Sequence, residues 1–169
     1  MDRVEVPTDA SLHTLALALG ELLHERAQVL ATAESCTGGW IGKLLTDIPG
    51  SSVFFAGSAV TYSNASKQAL LGVAAATLER RGAVSGEVAQ EMASGALTRL
   101  GASVAVAVTG IAGPSGGTPA KPVGTVWIAW QLRAGTGRAE VFRFEGDRDA
   151  IRRHTVAAAL HGIQEILTR

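Results

Sequence analysis

Val29-Leu30-Ala31-Thr32-Ala33-Glu34-Ser35-Cys36-Thr37-Gly38-Gly39-Trp40 is the stretch on which the reading of the whole chain turns. It opens with a short apolar run, Val29 to Ala33, the pattern of a buried strand. From Trp40 onward, Ile41, Leu44 and Leu45 recur at helical spacing, which predicts a helix beginning near Thr37 or Gly38. Ser35 therefore falls on a strand-to-helix turn. The free N–H groups and positive dipole end of a helix start favour negative charge, either on a ligand or on the oxyanion of an acyl transfer. The plainer alternative makes Ser35 or Thr37 an N-cap, with Gly38 and Gly39 only allowing close packing.

The flanking sequence extends the strand-helix pattern. Pro7-Thr8-Asp9 precedes leucines at helical spacing, predicting a capped amphipathic helix to about Arg26. Val53 to Tyr62 reads as a second buried strand, followed by helices near 65–71 and 77–81 and a longer one from a Ser85 cap to Gly101. Ser103 to Thr109 alternates valine with alanine, so both faces are apolar; that is a central strand with helices on either side. Gly110 to Gly124 is a glycine- and proline-rich loop. Alternation at Val126, Ile128, Trp130 and Leu132 predicts a fourth strand, and the short turn 133–137 forces the fifth, Arg138 to Glu145, to be its antiparallel partner. A last helix covers about 147–167. The expected fold is α/β: one three-layer α/β/α domain spanning 1–169, with a mixed, mostly parallel sheet of about five strands.

Composition narrows the function classes. Apolar residues make up 47% and charged ones 18%, the balance of a globular chain. Fifteen basic and fifteen acidic side chains cancel, which argues against a nucleic-acid or membrane-surface partner. The chain carries neither a long apolar run nor a signal-peptide core, and the single Cys36 suits a reducing cytoplasm. His13, His24, His154 and His161 read as ordinary helix residues without zinc-ligand spacing, so no metal is expected.

Ligands of α/β sheets sit at the carboxyl ends of the strands. Three segments meet there on this reading: Ser35 to Gly39, Tyr62 to Lys67, and Thr109 to Gly117. Lys67 falls in the first turn of a helix capped by Ser63 or Asn64, where the dipole disfavours a cation by about 0.3–1 kcal/mol. A local rule broken at a strand end is a frequent mark of a functional site. To act as a base, a lysine must fall from about 10.4 to roughly 7–8, which the dipole alone cannot supply; burial or a second cation must do most of it. The alternative is a solvated lysine on a surface helix. The loop with Gly110 and Gly113 lacks both the P-loop and the dinucleotide-binding pattern, so kinase and dinucleotide chemistry are unsupported. Arg148 and Arg152, four apart at the start of the last helix, can clamp a phosphate or simply pair with carboxylates such as Asp149.

Taken together, Thr32-Ala33-Glu34-Ser35-Cys36-Thr37-Gly38-Gly39, Tyr62-Ser63-Asn64-x-x-Lys67, Gly82-Ala83-Val84-Ser85, Thr109-Gly110-Ile111-Ala112-Gly113-Pro114, Lys121-Pro122-Val123-Gly124-Thr125-Val126 and Gly146-Asp147-Arg148 resemble the CinA C-terminal domain family, whose stand-alone members include nicotinamide mononucleotide deamidases. The resemblance covers nearly the whole chain. It implies a cytoplasmic amidohydrolase that converts nicotinamide mononucleotide and water to nicotinate mononucleotide and ammonia, without metal or other cofactor. It also implies a Ser/Lys pair at Ser35 and Lys67 with Tyr62 close by, an α/β/α fold with one antiparallel strand, and a homo-oligomer, commonly a dimer. On this reading the groups that hold the substrate are Thr37, Gly38, Gly39, Thr109, Gly110, Gly113, Arg148 and Arg152, with N–H groups near Thr37, Gly38 and Gly39 facing the oxyanion. One departure is Gly57-Ser58-Ala59, where many relatives carry a second glycine. The rival readings are a non-catalytic nucleotide-binding or regulatory domain using the same cleft, and a metal-dependent hydrolase, against which the missing ligand cluster counts.

Overall fold

A computed structural model describes residues 5–135 and 137–169; Thr136, in the predicted turn 133–137, lies outside them. The elements follow in the order α1 (Asp9–Glu25), β1 (Leu30–Glu34), α2 (Trp40–Thr46), a 3-10 turn (Ser51–Val53), β2 (Phe55–Val60), α3 (Asn64–Leu71), α4 (Ala75–Arg81), α5 (Gly86–Arg99), β3 (Val104–Gly110), β4 (Thr125–Leu132), β5 (Arg138–Arg143) and α6 (Arg148–Thr168). The strands form one five-stranded sheet in the order β2-β1-β3-β4-β5. β1 pairs in parallel with β2 and β3, whereas β4 runs antiparallel to both of its neighbours, β3 and β5. Only β4 is reversed, so the sheet is mixed.

The valine-alanine alternation of β3 decides which helix packs on which face. Val104, Val106 and Val108 join Leu30 of β1 in a core with Leu19 and Leu23 of α1, Ile41 of α2, and Leu160 and Ile163 of α6. Ala105 and Ala107 face the other way, with Ala31 and Ala33, against Met92, Ala93 and Ala96 of α5. Methyl-sized side chains on that face let α5 lie close to the sheet. On the opposite face the larger valines fill the deeper gap beneath α1 and α6. Both faces of β1 and β3 are thereby covered, and every residue of β1 is buried.

Two expectations need correction. β2 is shorter than the run Val53 to Tyr62, and it is half-buried rather than fully buried. Its residues are apolar, but it sits at the sheet edge with one ladder partner, and Val60 is exposed. α2 begins at Trp40, not at Thr37 or Gly38. Gly38 and Gly39 have φ of 63° and 95°, left-handed values that end the turn and delay the helix.

Candidate active site

The strand directions bring the carboxyl ends of β1, β2 and β3 to one edge of the sheet. The segments that leave those ends wall a cleft, where Ser35, Cys36, Tyr62, Lys67, Thr109, Gly110, Gly113 and Arg148 all line the space. Ala83 and Val84, from the link between α4 and α5, complete the wall. Among the lining residues none is acidic and Arg148 is a cation, so the cleft suits an anionic ligand.

Lys67 does not project into solvent from the start of α3. Its side chain is 1% exposed, and its Nζ reaches Ser35 Oγ at 3.0 Å, the Thr61 carbonyl at 2.7 Å and the Tyr62 carbonyl at 3.3 Å. Burial draws the amine below its ordinary 10.5, offset in part by the neighbouring Cys36 thiol. The main cause is desolvation, one of the two sources expected to supply what the helix dipole alone cannot. The partner set also fits a neutral amine. Carbonyls only accept, so they take two N–H bonds, and the remaining lone pair then faces the hydroxyl of Ser35, which can donate.

Glu34, the last residue of β1, is wholly buried and organises the turn that carries Ser35. Its Oε1 accepts from Thr37 Oγ1 at 2.7 Å and from the Ile41 N–H at 2.9 Å. Its Oε2 accepts from the Gly42 N–H at 2.9 Å, Ser58 Oγ at 2.8 Å and Thr32 Oγ1 at 3.2 Å. The carboxylate thus caps α2 from inside the protein. The helix start therefore already has its anion, which corrects the expectation of a free anion site there. Sequence reasoning assigned Glu34 no role. The available signal was a lone carboxylate ending an apolar run, because a buried charge must find donors.

The first three carbonyls of the turn, those of Ser35, Cys36 and Thr37, are all held. Gly38 N–H donates to Ser35 O at 3.0 Å, and Trp40 N–H to Thr37 O at 3.2 Å. Arg152 of α6 donates Nε to Cys36 O at 3.1 Å and Nη2 to Thr37 O at 2.9 Å. Arg152, Thr37, Gly38 and Gly39, expected to contact the substrate, are not among the residues lining this cleft. Arg152 and Thr37 are engaged within the turn that carries Ser35. Among the described residues no backbone carbonyl and no other side chain accepts the N–H of Cys36, although Cys36 is buried and lines the cleft. Burial also pushes the Cys36 thiol up to about 12, so it stays a thiol.

Other predicted residues do reach the cleft. Thr109 Oγ1 donates to Ala83 O at 2.9 Å and so pins the α4–α5 link as a wall. Gly110 has no room for a side chain, since a Cβ there would lie 2.8 Å from the Thr125 carbonyl oxygen. Gly113 adopts φ of 77° and accepts from Arg148 Nη1 at 2.7 Å, which turns the Arg148 guanidinium along the glycine loop. Tyr62 stands at the rim with a mostly exposed ring, and its contact with Lys67 runs through its backbone carbonyl, not its hydroxyl. The four histidines all lie in α1 and α6, away from the cleft lining.

Residues 12–167 match the model of the CinA C-terminal domain. The chain belongs to the CinA C-terminal domain family. It is 50% identical over 153 residues to the nicotinamide-nucleotide amidohydrolase PncC of Escherichia coli (strain K12), covering 90% of this chain and 93% of that one. It is 51% identical over 158 residues to the protein of the same description from Pseudomonas putida, covering 92% and 96%. Its fold is similar to the crystal structure of competence/damage inducible protein CihA from Agrobacterium tumefaciens, with a TM-score of 0.90 and 42% identity over 98% of this chain and 99% of that one. The similarity extends over nearly the full length of these relatives, so the family likeness covers the whole three-layer fold.

Proposed function

We propose that this chain is a nicotinamide-nucleotide amidohydrolase, hydrolysing the carboxamide of nicotinamide mononucleotide to nicotinate mononucleotide and ammonia. The observation that carries the chemistry is the 3.0 Å contact between Lys67 Nζ and Ser35 Oγ, in a cleft from which the amine is otherwise shielded. The PncC relatives supply the substrate class.

Neutral Lys67 takes the proton of Ser35 as its Oγ attacks the carboxamide carbon. The developing oxyanion accepts from the Cys36 N–H, the first amide after the nucleophile, and a donor so placed is worth about 3 kcal/mol. As the C–N bond breaks, the Lys67 ammonium returns its proton to the leaving nitrogen, which departs as ammonia. Water, deprotonated by the same amine, then attacks the acyl carbon, and as the bond to Oγ breaks the Lys67 ammonium returns the proton to Ser35 and the nicotinate product is released. Tyr62 contributes through the carbonyl that directs Nζ. Arg148 and the glycine loop at Gly110 and Gly113 hold the ribose phosphate, with Thr109 keeping the opposite wall in place.

We further infer that residues 1–169 act as one cytoplasmic amidohydrolase domain needing no cofactor, assembled as a homodimer. No helix among the described residues is long and apolar enough to cross a membrane. The deciding experiment is a coupled ammonia assay on nicotinamide mononucleotide with chelator present. The parent should release ammonia, while Ser35→Ala and Lys67→Ala should lose it with melting curves that remain cooperative. Full ammonia release by Ser35→Ala refutes the mechanism. Saturable nucleotide binding without ammonia refutes the enzyme.

A further inference from the structure

The amide proposed to face the oxyanion belongs to a turn held by a helix far away in sequence. Arg152 spans the gap with two donors of one planar guanidinium, Nε to Cys36 O and Nη2 to Thr37 O. Its far side lies over the indole of Trp40, 5.2 Å from the ring centroid, so the fork is held from behind as well. In a trans peptide the C=O and N–H point in opposite directions. The Cys36 N–H shares its peptide with Ser35 O, which is tied to the Gly38 N–H, and that N–H in turn shares its peptide with Thr37 O, which Arg152 holds. Arg152 thus reaches the Cys36 N–H through this relay, while its bond to Cys36 O sets the peptide of the Thr37 N–H. Among the described residues no backbone carbonyl and no other side chain accepts either N–H, and both residues are buried. Buried N–H groups without such partners are uncommon in folded proteins. Of the two residues only Cys36 lines the cleft, so its N–H is the one that can meet an oxyanion there.

We infer that Arg152 is a positioning residue for the reaction: by holding Thr37 O it sets the Gly38 N–H that ties Ser35 O, so that the Cys36 N–H meets the oxyanion, and it is not a ligand of the substrate's phosphate. This rests on the amidohydrolase reading. The residue is absent from the cleft wall, and its donors toward the turn are already engaged. Lysine donates from one nitrogen and lacks the rigid planar fork, so it cannot reproduce the two fixed directions in which Nε and Nη2 meet these carbonyls.

The test is steady-state kinetics of ammonia release from nicotinamide mononucleotide by the parent, Arg152→Lys and Trp40→Leu, run below each protein's melting midpoint. Trp40 lies outside the cleft wall, so its replacement loosens the guanidinium without touching bound substrate. For Arg152→Lys, kcat and kcat/KM should fall together by about 10- to 100-fold, toward the loss seen when an oxyanion donor is removed, with KM within about threefold. Trp40→Leu should show the same pattern with a smaller loss. A raised KM with kcat preserved makes Arg152 a phosphate ligand and overturns the inference. Unchanged kinetics in Arg152→Lys also overturns it. Should Arg152→Lys fail to fold, an unchanged kcat in Trp40→Leu overturns it alone. No ammonia from the parent defeats the enzymatic reading itself, a distinct result.

Discussion

Replacing Glu34 by glutamine tests whether the buried carboxylate holds the nucleophile's turn. The substitution keeps the shape and changes one oxygen to an NH2. Each oxygen of Glu34 accepts from a backbone N–H fixed by α2, Ile41 on one side and Gly42 on the other. Either orientation of the amide therefore sets a donor against a donor. One helix N–H is left buried and unpaired, costing about 1–3 kcal/mol. The bonds that survive lose their charge assistance, and neutral acceptors hold roughly half as strongly. The sum is about 3–5 kcal/mol, which for a domain of this size lowers Tm by about 10 °C. Ser58→Ala is the control: it removes one of five donors and leaves every backbone N–H paired, so a loss of about 1–2 kcal/mol, or about 3–5 °C, is expected. Thermal unfolding followed by circular dichroism measures both. A Glu34→Gln protein melting within about 2 °C of the parent would show that the carboxylate is not what organises this turn.

Three further outcomes follow from the same geometry. Since burial holds the Lys67 amine below 10.5, the neutral base gains population as pH rises, and kcat/KM for ammonia release should climb with pH and level off before 10.5. The same sign applies to stability. Between the folded value and 10.5 the unfolded chain binds more protons, so this residue's contribution to stability improves as pH rises through that window. A pH-rate profile with its midpoint at or above 10.5, or with no acid limb, counts against Lys67 as the base. Cys36, pushed up to about 12 and 6% exposed, should react with a thiol reagent at pH 8 roughly a thousandfold more slowly than in the urea-unfolded chain, as followed by absorbance. Gly162 lies directly under the indole of Trp130, whose Nε1 donates to Ala159 O at 2.9 Å, so Gly162→Ala overpacks that contact. A loss of about 1–3 kcal/mol in urea unfolding, with altered tryptophan fluorescence, is expected.

The sequence by itself determined the order of elements and the faces they bury. Period-two alternation in Ser103 to Thr109 and helical spacing after Trp40 and Ser85 are local properties of the chain, and local sterics and burial translate them directly into strands and helices. The short link between β4 and β5 likewise imposes an antiparallel pair. Ser35 stood out on a strand-to-helix turn, and Lys67 as a cation set against the dipole in the first turn of the helix that follows a strand end. What only the tertiary structure decided are the partnerships across long sequence separations. Lys67 loses its water because the ends of β1 and β2 close over it, a burial that its own helix gives no sign of. Glu34 finds donors on α2 and β2, and Arg152 reaches the turn after Ser35 from α6, although spacing alone put it beside Arg148 as a phosphate clamp. Buried charges and guanidinium forks choose their partners by direction in space, and the direction of a side chain is fixed only when the layers that surround it have packed.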